Sequence, residues 1–427
     1  MTRTGYLGDL LGQLVERRFA PLRGSPGKPV AEMCAALLAG EGEVSTMRLA
    51  RDILAAYARM DMGARREFFA MLARDYDIIP DAVVQAAQDY GATGDAPALS
   101  KLLEAAEPRR QALFRRLNHA PGATTGLVRM RRDLLALLPE MPDLARVDLD
   151  FVHLFQSWFN RGFLVLRQVT WESPAQLLEK IIDYEAVHAI GDWEALRARV
   201  GPEDRRCFAF FHPAMPDEPL IFVQVALVRG VPGSVQELLA SDRPMLDPAE
   251  ADTAAFYSIS NCQAGLKGIS FGNSLIKQVV ALLRQELPDL RKFVTLSPIP
   301  GLGAWLRERA EGGDRAAASV LEAAPPRDEA AQTALRRLAA LYLLEVKDKR
   351  DRPRDPVARF HLNNGALVHD IHARADLSDR GIAQSCGAMV NYLYDLDQVE
   401  ANHESFASQG RIAATRSVRQ LARAAQE

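Results

Sequence analysis

No stretch of this chain stays apolar for the ~18 residues that a membrane-crossing helix needs, so a spanning protein is not expected. The opening residues, Met1-Thr2-Arg3-Thr4-Gly5-Tyr6-Leu7-Gly8-Asp9, lack the unbroken apolar centre of a secretory signal. The closing residues, Ala424-Ala425-Gln426-Glu427, carry no peroxisomal or lipid-attachment signal. Cysteine is scarce. Cys34, Cys207, Cys262 and Cys386 show no C-x-x-C spacing, which argues against a zinc site and a disulfide scaffold. Buried free thiols in a reducing cytoplasm are expected instead. Also missing is an excess of charge: a net charge of -3 gives no general pull towards nucleic acid or a membrane surface. No fixed-period repeat points to a solenoid.

What is present is an ordinary globular balance, 48% hydrophobic and 25% charged over 427 residues, enough for two or three domains. Residues 1–165 read as helices only. Leu49, Ile53 and Tyr57 recur at helical spacing after Ser45-Thr46, which are plausible caps. Further helices are expected over 64–76, 83–90, 99–106, 109–117, 127–138 and 144–160, joined by short loops as in an antiparallel bundle. Residues 166–427 read as a mixed α/β domain. Strands are expected over 163–170, 207–211, 220–228, 256–260 and 293–296, and helices over 174–184 and 275–286. The insert 306–356 is mainly helical, and its stretch 347–355 reads as a solvated mixed-charge loop. Residues 359–362 and 366–371 flank Asn363-Asn364-Gly365, a hairpin signal.

Three motifs could carry chemistry. The first is strand, loop and helix: 256–260, then Gln263 to Asn273, then 275–286. Glycine lets backbone approach a ligand, and free N–H groups at a helix start attract phosphate. The spacing matches neither a Walker A loop nor the dinucleotide G-x-G-x-x-G, and an ordinary turn would read the same way. It is loosely similar to the pyrophosphate loop of the acetyltransferase superfold. The second is Leu296-Ser297-Pro298-Ile299-Pro300-Gly301. Its prolines stiffen the segment and would hold the Ser297 hydroxyl in one direction. It is not the G-x-S-x-G elbow of hydrolases, and a serine in a rigid turn fits equally. The third is Phe360-His361-Leu362. On a strand, alternation would send His361 to the face opposite Phe360 and Leu362, towards a cleft or plain solvent. His369 and His372 would point to opposite faces of a strand and could not share a metal. His153, His188 and His212 read as structural.

At these motifs the chain resembles the malonyl-CoA decarboxylase family. The shared stretches are Trp171-Glu-Ser-Pro174, Glu185-Ala-Val-His188, Glu218-Pro-Leu220, Val225-Ala-Leu227, Phe256-Tyr-Ser-Ile-Ser260 and Leu275-Ile-Lys277. The series continues with Leu296-Ser-Pro-Ile-Pro-Gly301, Phe360-His-Leu-x-Asn-Gly-Ala366, Arg380-Gly-Ile382, Ser385-Cys-Gly387 and Asn391-Tyr392-x-Tyr394. The resemblance runs from about residue 160 to 410.

It implies a two-domain chain: an N-terminal all-helical bundle (1–165) that mediates oligomerisation, then an acetyltransferase-like (GNAT-like) mixed α/β catalytic domain (166–427). It implies conversion of malonyl-CoA to acetyl-CoA and CO2 with no cofactor and no metal. The family's CoA loop falls on Lys267, Gly268, Ile269, Ser270, Phe271, Gly272 and Asn273. Its catalytic serine and histidine fall on Ser297 and His361, and a tyrosine that positions the histidine falls on Tyr394. In that reading Ser297 orients the carboxylate, and an imidazole with a near-neutral pKa protonates the enolate. Animal members carry a glutamate where this chain has Ser270. The implied protein is a cytoplasmic homo-oligomer, a tetramer by resemblance, with no nucleic-acid or membrane partner. Three alternatives stay open on the residues alone: an acetyl-CoA-dependent N-acetyltransferase, an acyl-CoA thioesterase with Ser297 as nucleophile, and a CoA-binding scaffold.

Overall fold

The computed structural model describes residues 28–40, 42–269 and 275–426. The expectations for Met1–Asp9 and for Ser270, Phe271, Gly272 and Asn273 lie outside the described residues. The chain divides into two compact units: Met1–Trp158 with Ala264–Ile269, and Phe159–Gln263 with Ser270–Glu427.

The first unit is helical. Its described helices are α1 (Val30–Ala39), α2 (Glu43–Ala58), α3 (Met62–Asp75) and α4 (Pro80–Thr93). They continue with α5 (Ala96–Ala106), α6 (Arg109–Leu117), α7 (Ala123–Leu137) and α8 (Ala145–Trp158). Helix α2 starts before the expected caps: Gly42 is its N-cap, and the Ser45 and Thr46 hydroxyls bond back to the Gly42 carbonyl. Leu113, Phe114, Leu127, Phe151 and Phe155 are fully buried, and Phe114 stacks on Phe151. Arg110, 2% exposed, is neutralised by Asp77 and Asp150.

The second unit is built on one eight-stranded mixed sheet. Its strands are β1 (Val165–Val169), β2 (Arg205–Phe211), β3 (Ile221–Val228), β4 (Thr253–Asn261), β5 (Lys292–Thr295), β6 (Ser297–Pro298), β7 (Leu367–His372) and β8 (Met389–Leu393). Its helices are α9 (Ala175–Tyr184), α10 (Trp193–Val200), α11 (Val235–Leu239), α12 (Leu275–Glu286), α13 (Leu302–Glu311) and α14 (Arg315–Glu322). After them come α15 (Glu329–Glu345), α16 (Pro356–Asn363), α17 (Asp379–Ser385), α18 (Val399–Gln409) and α19 (Arg416–Arg423). The order is β1-β2-β3-β4-β5-β8-β6, with β7 paired to β8. The expected hairpin is β2–β3, with Ala209 opposite Phe222. Strands β4 and β5 are parallel and are joined through α12, because parallel neighbours need a crossover. Helices followed by a mixed sheet are thus the observed architecture. No described helix is long and apolar enough to cross a membrane.

One expectation fails at the site itself. Residues 359–362 are not a strand, and Asn363-Asn364-Gly365 is not a hairpin turn. Both belong to α16 and its end. Asp355 caps the helix by accepting from the N–H groups of Val357 and Ala358, with Pro356 in the first turn. Ala358, His361 and Leu362, spaced three and four apart, are buried, while Phe360 is 38% exposed. Gly365 has a φ of 82°, and its N–H bonds to the Leu362 carbonyl to close the helix. A hairpin turn and a helix end both need that left-handed conformation, so Asn-Gly could not tell them apart. Strand β7 also departs from strict alternation. A bulge between Val368 and Asp370 breaks the facing rule that separated His369 from His372.

Candidate active site

Ser297 opens β6, directly after β5 and Leu296, and pairs with Val390 of β8. His361 comes from the last turn of α16, and Tyr394 follows the end of β8. These elements, far apart in sequence, bring the three side chains into one chain of contacts. The Ser297 hydroxyl lies 3.1 Å from His361 Nε2, and His361 Nδ1 lies 2.8 Å from the Tyr394 hydroxyl. Ser297, His361 and Tyr394 are 5%, 3% and 2% exposed.

Three further residues act on this chain, and sequence reasoning had given them no role. Thr295 accepts the Ser297 O–H at 2.8 Å, and its hydroxyl oxygen also takes the Tyr392 N–H. Tyr392 lies against the imidazole with ring centroids 4.5 Å apart and planes 23° from parallel. Asn391 donates to the Thr295 carbonyl at 2.9 Å and pairs through Oδ1 with His372 Nε2. The signal available was the period-two spacing in Thr295-x-Ser297 and in Tyr392-x-Tyr394, which puts each pair on one face.

Protonation follows from burial. Burial drives the His361 pKa down from its usual value to about 3, so the ring is neutral near pH 7. This overturns the expectation of a near-neutral imidazole pKa. Burial also pushes the Tyr394 phenol well above its usual range and keeps it protonated. Its hydroxyl bonds to His361 Nδ1. A phenol O–H donating to Nδ1 would leave the imidazole proton on Nε2, facing Ser297.

A cavity of about 290 Å³ opens beside this pair. Ser297 and His361 line it with Ile221, Val223, Ile259 and Phe360, so a polar pair faces an apolar chamber. A larger hollow of about 720 Å³, beside Trp171 and Arg243, shares no lining residue with it and holds none of these groups.

Of the expected loop, Lys267, Gly268 and Ile269 are described, and they belong to the helical unit. Arg131 of α7 donates to the carbonyls of Gly265 at 2.7 Å and Lys267 at 2.9 Å while pairing with Asp148. A Cβ on Gly265 would fall 1.9 Å from the Val128 carbonyl oxygen, so only glycine allows α7 this close to the segment. Gly268 has a φ of 81°. Among the described residues no three His, Cys, Asp or Glu side chains are grouped to hold a metal ion.

Two family profiles match the sequence: the malonyl-CoA decarboxylase N-terminal domain over residues 76–159 and the malonyl-CoA decarboxylase C-terminal domain over residues 162–427. A mitochondrial malonyl-CoA decarboxylase of Anser anser anser is 36% identical over 409 residues, covering 85% of this chain and 81% of the relative. The crystal structure of malonyl-CoA decarboxylase from Rhodopseudomonas palustris is similar at a TM-score of 0.86 and 46% identity, covering 94% of this chain and 100% of that one. The corresponding structure from Agrobacterium vitis gives a TM-score of 0.86 and 46% identity, over 92% of this chain and 99% of that one. On both profiles and these relatives, the chain belongs to the malonyl-CoA decarboxylase family of enzymes.

Proposed function

We propose that this enzyme converts malonyl-CoA to acetyl-CoA and CO2, with Ser297 and His361 as its catalytic residues and Tyr394 as their positioning partner. The observation that carries the reading is the buried Ser297–His361 pair facing an apolar chamber, in a member of this family.

The malonyl thioester contains its own electron sink. When the C–C bond to the carboxylate breaks, its electron pair moves into an enolate on the thioester oxygen, and CO2 leaves. Ser297 turns its O–H from Thr295 to the carboxylate and holds the breaking bond perpendicular to the thioester plane. The apolar wall disfavours the charged carboxylate more than neutral CO2, which helps the bond to break. A thioester enolate is a stronger base than imidazolate, so the neutral ring can give its Nε2 proton to the carbon. The Tyr394 O–H on Nδ1 offsets the charge left on the ring, and water returns the proton. Oriented donors of this kind contribute on the order of 10²–10³ in rate. The loop from Lys267 to Asn273 binds the CoA pyrophosphate through backbone N–H groups. No cofactor or metal enters the scheme. The helical unit mediates self-association, to a tetramer, through exposed apolar residues such as Val44 (78% exposed) and Leu149 (69% exposed). Light scattering of the purified protein reads that mass.

The thioesterase alternative shares the serine–histidine contact, but it needs the Nε2 lone pair as a base. With Tyr394 donating to Nδ1, that lone pair carries the proton. One assay separates the two. Purified protein given malonyl-CoA should release CO2 and acetyl-CoA in equal amounts, whereas a thioesterase would release malonate and free CoA. Ser297→Ala and His361→Ala should each lose on the order of 100-fold or more. Either variant keeping most of the wild-type rate while folded would remove that residue from the mechanism. Treatment with a chelator should leave turnover unchanged.

A further inference from the structure

Ser297 and His361 sit on two elements, β6 and α16, separated by more than fifty residues of chain. One buried carboxyl group touches both the start of α16 and Gly301, the residue three positions beyond β6 that opens α13. Asp355, 1% exposed, accepts through Oδ1 from the N–H groups of Val357 and Ala358, each at 2.9 Å, and so starts the helix that carries His361. Its other oxygen accepts from the N–H of Gly301 at 3.5 Å. Gly301 ends the segment Ser297-Pro298-Ile299-Pro300-Gly301, which its two prolines stiffen. The packing there is closed: a Cβ on Gly301 would lie 2.1 Å from the Tyr342 hydroxyl of α15 and 3.8 Å from Asp355 Oδ2. Burial pushes the Asp355 carboxyl above its usual range, so this position retains a group that is costly to bury.

We propose that Asp355 is a positioning residue that fixes the reach between Ser297 and His361 by clamping the serine segment to the start of the histidine helix. The proposal rests on the reading that these two groups carry out the reaction. One oxygen holds α16, whose single short run to His361 leaves little slack. The other holds Gly301, and the proline segment passes that restraint back to Ser297. Displacing either group by about 1 Å is enough to cost on the order of 100-fold in rate.

The test uses two variants that keep the helix cap and lose the clamp. Asp355→Asn caps a helix as well as aspartate does, but turns an NH2 group towards the Gly301 N–H. Asp355→Ser caps the helix and leaves Gly301 without an acceptor. Both should keep a melting temperature within a few degrees of wild type. Both should keep KM for malonyl-CoA within about 3-fold, while kcat falls roughly 10–100-fold. Asp355→Ala, lacking cap and clamp, should melt lower as well. Wild-type kcat in either cap-retaining variant overturns the proposal, and so does a kcat loss no larger than the loss of folded protein. Ser297→Ala and His361→Ala are measured beside them. If those two keep their turnover, the underlying reading fails; if they lose it while Asp355→Asn does not, only the clamp fails.

Discussion

His361 holds no spare proton near neutral pH, because burial takes its pKa down to about 3. In the proposed mechanism it offers one N–H in a fixed direction, which Tyr394 sets by occupying Nδ1. Tyr394→Phe removes the phenol hydrogen, so the imidazole proton can shift to Nδ1 and away from the chamber. We expect kcat to fall on the order of 10²–10³, with KM nearly unchanged, in steady-state assays of folded protein. An unchanged kcat would show that the phenol does not fix the tautomer. The same residue sets a pH expectation. The profile of kcat/KM reports groups of the free enzyme. With a ring already neutral, it should show no inflection near pH 6.5. A protonated fraction rising through that region, and vanishing in His361→Gln, would mean that imidazolium is the working form.

At the scale of elements, the segment Ala264–Ile269 belongs to the helical unit and is held there by α7. Its internal hydrogen bonds are few: Lys267 N–H to the Ala264 carbonyl and Ile269 N–H to the Leu266 carbonyl. Arg131 closes two more of its carbonyls from one guanidinium group. Arg131→Met leaves those oxygens without that donor, at a cost of about 1–3 kcal/mol for local opening. Amide exchange of a peptide spanning 264–269 should therefore quicken roughly 5–150-fold. Unchanged exchange there would show that the close Gly265–Val128 packing suffices alone. Sequence patterning made most elements legible here. Helix α6 is where its periodicity put it, and β2–β3 pair as expected, because each covers a core with a regular period. It failed at α16, where a short run with buried Ala358, His361 and Leu362 could be read at either period. The signal that decides for a helix is the Asp355-Pro356 start, a capping carboxylate followed by a proline in the first turn.

At the scale of the whole molecule, sequence motifs pointed to Ser297 and His361, and the family resemblance added Tyr394, but neither indicated what holds them. Thr295, Tyr392 and Asp355 act through contacts made only when β5, β8 and α16 meet; local spacing puts Thr295 and Tyr392 on the right faces, but it does not encode which elements meet. For the same reason, the assignment of Ala264–Ile269 to the helical unit was invisible in the sequence. The buried network also links the site to global stability. His361 has a usual pKa of 6.5 and a folded value of about 3. Between those two values the unfolded chain binds a proton that the folded chain refuses, so folding stability falls as pH falls from about 6.5 towards 3. The slope from one such group approaches about 1.4 kcal/mol per pH unit, or about 2–3 kcal/mol by pH 4.5. Burial lowers His188 and His369 as well, which adds to the loss; Asp355, whose pKa burial raises, works against it. In His361→Gln the linked proton is gone. Urea unfolding of the second unit between about pH 6.5 and 4.5 should then lose close to one proton's worth of slope relative to wild type, whatever the variant's stability at pH 7. Parallel profiles for the two proteins would mean that His361 accepts a proton in the folded state at mild acidity, and with it the neutral-ring account of the chemistry would fall.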